Sequence, residues 1–99
     1  MAESGTLIAS RIANLLGDAG ASWSALERAE VEQFLCAGEY GLAVDTLCWI
    51  LVDARKPISG EMLQEIESLI EIMDLGQEPF VAALHGAYQR QAAAGNPVP

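Results

Sequence analysis

Apolar residues in this chain recur every three or four positions. Met62, Leu63, Ile66, Leu69, Ile70 and Met73 make the clearest run, with Gln64, Glu67, Glu71 and Asp74 filling the gaps. That spacing lays one apolar stripe along one face of an α-helix. No segment combines strict alternation with the β-branched richness of a strand. The chain is therefore confined to helices packed on helices, and what remains is where each one starts and stops.

Capping residues and breakers supply the boundaries. A first helix is expected over about residues 4–18, with Ile8, Ile12, Leu15 and Leu16 on one side, broken by Gly-Asp-Ala-Gly-Ala-Ser. Ser22 or Ser24 can cap a second, and Ser24-Ala-Leu-Glu27 fits a capping box. Its apolar side is Val31, Phe34 and Leu35, and Gly38 suits the left-handed residue after its end. A third is expected over about residues 40–54. Ala43, Val44, Leu47, Ile50 and Leu51 form its broad face, and Leu42 and Trp49 lie opposite. A helix apolar on two sides belongs in the middle of a bundle, and Pro57 forbids its continuation. Ser59 caps a fourth, expected to reach about Leu75 and stop at Gly76. Pro79 suits the first turn of a fifth, with Phe80, Leu84, Ala87 and Tyr88 facing inward and Gly95 closing it. About five helices of ~12–16 residues with short connections make a compact antiparallel all-α bundle. The expected organisation is one helical domain over residues 1–95 and a disordered tail over 96–99.

A chain of 99 residues, 52% of them hydrophobic, has enough apolar surface for one core and too much for disorder. No apolar run reaches the ~18–20 residues of a membrane span. The N-terminus lacks a basic region followed by an apolar one, so a cytoplasmic location is expected. Cys36 and Cys48 are then read as reduced, buried small hydrophobes.

Charge is the second constraint. The chain carries 14 acids against 5 bases, a net charge of −9. Twelve of those acids and three of the bases fall between Glu27 and Glu78, so this segment holds the entire excess. Such a surface repels nucleic acid and anionic membranes and attracts basic proteins. Read alone, acidity also serves plain solubility.

No constellation of reactive groups stands out. His85 is the only histidine and has no acid three or four positions away. Glu61/Glu65 and Glu67/Glu71 are spaced as helical carboxylate pairs, but a bundle di-metal site wants inward-facing Glu-x-x-His. Glu67 and Glu71 instead lie opposite the apolar stripe and read as a solvated face. No phosphate- or dinucleotide-binding glycine motif is present, and neither cysteine is paired with His85 by any recognisable pattern. Neither an enzymatic activity nor a cofactor is expected. What is left is surface. Trp49 lies between Asp45 and Asp53, one helical turn either way. An indole flanked by carboxylates suits a cationic partner, unless another helix covers it.

Gly38-Glu39-Tyr40-Gly41-Leu42-Ala43, then Leu47-Cys48, Leu51, Pro57-Ile58-Ser59, Ile66, Leu69, Met73 and Leu75 form an order of residues that resembles the MafI-like family of bacterial immunity proteins. The resemblance spans roughly residues 32–75. It implies a small acidic helical protein that neutralises a cognate toxin domain, either a basic nuclease or an NAD-consuming or ADP-ribosylating enzyme, by stoichiometric occlusion. Most matching residues read as scaffold. Gly38 closes a helix, Glu39 favours the positive N-terminus of the next, and Gly41 admits a neighbouring backbone. Partner contacts are therefore expected on the surface, at Glu39, Tyr40, Asp45, Trp49, Asp53, Glu61 and Glu65. The alternative is an acidic helical adaptor for an unrelated basic protein.

Overall fold

The structure, a computed structural model, describes residues 5–17 and 22–94. Five α-helices follow one another: α1 (Gly5–Leu16), α2 (Ala25–Cys36), α3 (Tyr40–Asp53), α4 (Gly60–Ile72) and α5 (Pro79–Ala93). Among the described residues there is no strand, so the chain is the all-α, five-helix bundle that its periodicity predicts. Ser4, Asp18, Gly95 and the tail over 96–99, which carry expected boundaries, lie outside the described residues.

Local hydrogen bonds explain where the helices begin. The Ser24 hydroxyl accepts from the Glu27 amide at 3.1 Å, and the Glu27 carboxylate accepts from the Ser24 amide at 2.9 Å. This is the capping box the sequence predicts, with Ser24 and not Ser22 as the cap. The Ser59 hydroxyl accepts from the Met62 amide at 3.0 Å, and Pro79 occupies the first turn of α5.

The ends differ from expectation in an instructive way. Gly38, at φ 75°, closes α2 as foreseen. Its amide donates to the Leu35 carbonyl at 3.1 Å and that of Glu39 donates to the Phe34 carbonyl at 2.8 Å, the double bond of a Schellman motif. The same pair of bonds ends α3 and α4, but there the left-handed residue is Arg55 (φ 53°) or Asp74 (φ 57°). Helix α3 thus stops four residues before Pro57, and α4 stops ahead of Gly76. Those two breakers lie in the connections and do not themselves end the helices, because amides of the connecting residues already hold the last carbonyls.

Helix α3 touches each of the other four. Ala43, Val44, Leu47, Cys48 and Leu51 are buried on it, against Ile12 and Leu16 of α1, Val31 of α2, Ile66 and Leu69 of α4 and Phe80 and Leu84 of α5. The stripes read from α1, α4 and α5 all point into this core. Polar clamps join the elements around it. Arg11 of α1 grips Glu65 of α4 in a two-pronged pair at 2.8 and 3.0 Å and donates to Ser68 at 2.9 Å. The Trp23 indole N–H donates to the Leu15 carbonyl at 2.9 Å. Gln91 of α5 holds the α3–α4 connection, donating to the Lys56 carbonyl at 2.8 Å and accepting from the Ile58 amide at 3.0 Å.

Three expectations need correction. Cys48 is buried but Cys36, on the last turn of α2, is exposed. Gly41 faces the Leu75 side chain, not another backbone, and a Cβ there would make ordinary contact at 3.8 Å. Ile50 is only half-buried, whereas Cys48 takes a place in the core.

Candidate docking surface

The second apolar side of α3 is left open. Leu42 is 46% exposed and Trp49 38%, so no helix fully covers them. The reason is geometric. Helix α2 returns antiparallel from the short turn at Ala37–Glu39 and packs beside α3 on its Val31–Phe34–Leu35 side. It covers one flank of α3 and leaves a groove between the two helices. That groove, of about 370 Å³, has Trp49, Thr46 and Ile50 in its lining and Glu27, Glu30, Asp45 and Asp53 around them.

Its electrostatics are uneven. Glu27 is already engaged, since Lys56 Nζ lies 2.9 Å from its carboxylate. The Ser24 amide and then Lys56 hold the Glu27 carboxyl below the usual range. Lys56 also donates to the Ser22 carbonyl at 3.0 Å and stands 5.6 Å from the centre of the Trp23 ring. The chain thus builds, at one end of the groove, a cation held jointly by an indole and a carboxylate. Glu30, Asp45 and Asp53 have no basic partner among the described residues. Asp53 moreover lies in the last turn of α3, near carbonyls that carry partial negative charge. A cation entering beside Trp49 would relieve both.

Of the seven residues expected to meet a partner, the structure gathers Asp45, Trp49 and Asp53 into this one groove. Glu39 is exposed at the start of α3, without a side-chain cap bond, and Tyr40 is half-buried against the core. Glu61 and Glu65 belong to α4, and the Glu65 charge is committed to Arg11, which lowers its carboxyl below the usual range. Sequence reading missed Glu27 and Glu30. They face Asp45 and Asp53 across the groove, and only the antiparallel pairing of α2 with α3 brings the two helices' acids together.

Reactive groups elsewhere are few. Burial, and after it the Asp45 carboxylate, pushes the Cys48 thiol far above its ordinary range, so it stays protonated and unreactive. The fold supplies His85 with an acid that its own helix lacks: Glu67 of α4 lies 2.8 Å from Nε2, both side chains well exposed. Among the described residues no cluster of three or more histidines, cysteines or acids could hold a metal ion, and no helix is long and apolar enough to cross a membrane.

Comparison with protein-family models, with curated proteins and with solved structures found no match. The fold and the groove alone define the class: a small acidic helical bundle with a tryptophan in an anionic cleft.

Proposed function

We propose that this chain is an immunity protein that neutralises a cognate toxin domain by occupying its basic surface, with no chemistry of its own and from within the cytoplasm. One observation carries the reading: an exposed indole lines a groove with three carboxylates that have no basic partner among the described residues. Tryptophan anchors interfaces through its large apolar area. Unpaired carboxylates beside it gain charge-assisted bonds when Lys or Arg arrives. The resemblance of residues 32–75 to the MafI-like family points the same way.

Occlusion asks for fast capture and slow release. A net charge of −9 steers a basic partner, raising association toward ~10⁸ M⁻¹s⁻¹ at low salt. Nanomolar affinity corresponds to about 12 kcal/mol, within reach of a standard interface of ~1,600 Å² built on an aromatic anchor and paired charges.

The neighbouring reading frame provides the test. Its encoded C-terminal domain, expressed alone, is expected to arrest growth, and co-expression of this chain is expected to restore it. Trp49→Ala should abolish the rescue while the protein remains folded. A harmless neighbour that nevertheless binds this chain would support the adaptor reading instead.

A further inference from the structure

Next to the acidic groove, across the C-terminal end of α3, lies a second and larger groove of about 660 Å³. Asp53 lines both. The second groove has the opposite character. Its apolar lining is Val52, Ala87 and Ala94, and two of the chain's five basic residues, Arg55 and Arg90, line it as well. In a protein of charge −9 that concentration is notable for what the arginines do not do. Neither makes an ion pair with the acids of the described residues, Asp53 included. Nor are they spent on the negative end of α3, whose last carbonyls already accept from the backbone amides of Ala54, Arg55 and Lys56. Arg55 is presented from a left-handed backbone at φ 53°, a place where glycine would be easier. Arg90 lies back along α5 toward Gly86, where a Cβ would come within 3.3 Å of its Nη1.

Resting on the proposed function, we infer that the partner is not uniformly basic. It presents a basic element to the Trp49 groove and, immediately beside it, an acidic side chain to Arg55 and Arg90. The two adjoining signs fix the orientation of docking. They also repel polybasic surfaces, which would otherwise bind any acidic protein.

Two synthetic peptides of equal length test this, one with a Lys/Arg block followed by two glutamates, the other with the same block followed by two glutamines. Both carry an uncharged dye and are titrated by fluorescence anisotropy. Attraction by net charge alone ranks the glutamine peptide tighter. The inference ranks the glutamate peptide tighter by about threefold, the yield of two exposed ion pairs. In the Arg55→Glu/Arg90→Glu double variant the order should invert. A tighter glutamine peptide on the natural protein overturns the inference while leaving the acidic groove standing. Binding of both peptides that ignores Trp49→Ala, or binding of neither, overturns the groove reading itself. Sedimentation showing a dimer that the double variant dissociates would make a second copy of this chain the occupant and overturn the inference.

Discussion

Two side chains with similar labels turn out to have different jobs. Trp23 and Trp49 are both indoles beside carboxylates, but Trp23 is hydrogen-bonded to Leu15 and faced by Lys56, whereas Trp49 is 38% exposed in an open groove. Trp49→Ala should therefore lower stability by about 2 kcal/mol, short of the ~3–5 kcal/mol of a core tryptophan, and thermal unfolding measures the difference. Trp49 should also be the indole whose fluorescence responds to a bound partner. A second residue-scale prediction concerns Arg55, held at φ 53°. Arg55→Gly removes the left-handed penalty and should raise stability by about 1 kcal/mol. Equilibrium denaturation at pH 7 checks it, and a loss of stability would show that the guanidinium contributes more to the fold than its backbone costs.

Among the elements, α2 buries the fewest residues. Only Val31 is fully buried on it, and Leu26 stands 81% exposed. Its start consequently leans on the capping box and on Lys56, which bridges Glu27 to the Ser22 carbonyl. Ser24→Ala should cost about 1 kcal/mol, and hydrogen exchange should show the loss concentrated in the first turns of α2. Because α2 forms one wall of the docking groove, the same change should weaken partner binding without touching a contact residue. The α1–α4 clamp behaves differently. Glu65 has its carboxyl lowered below the ordinary value of 4.5 by Arg11. A lowered folded value means that the contribution is complete above the unfolded value and disappears as pH falls through the folded one. Natural protein should exceed Glu65→Gln in stability at pH 7 by a margin typical of a partly exposed pair, under about 1 kcal/mol. That margin should begin to shrink as pH falls below 4.5 and vanish once the folded carboxyl is itself protonated, as parallel denaturation curves will show.

For the molecule as a whole, the excess of acid governs the encounter and the grooves govern the dwell. Raising sodium chloride from ~50 to ~500 mM shortens the screening length severalfold. Association with a basic partner should slow strongly and dissociation should change less, as stopped-flow or surface-based kinetics would register. Equal changes in both rates would argue against steering. The two adjoining grooves add that the surface field is not uniform. The arginines reduce the total charge a little and sharpen its pattern, a trade that favours selectivity over raw attraction.

The spacing of Met62, Ile66, Leu69 and Met73, the box at Ser24–Glu27 and the glycine at position 38 were each enough to specify a helix or its end. Such signals act within one or two turns, so the linear order of residues contains them whole. Helix ends carried by Arg55 and Asp74 were not legible, because their left-handed backbone comes from amides reaching back to carbonyls and not from a residue type that favours it. The candidate site divides along the same line. Asp45, Trp49 and Asp53 share a face of one helix and could be read from four-residue spacing. Whether that face was covered, which acids stood across from it and that Arg55 and Arg90 line one groove depended on how α2 and α5 packed against α3. Helical periodicity is a property of neighbours in the chain, whereas exposure and the company a charge keeps are properties of neighbours in space.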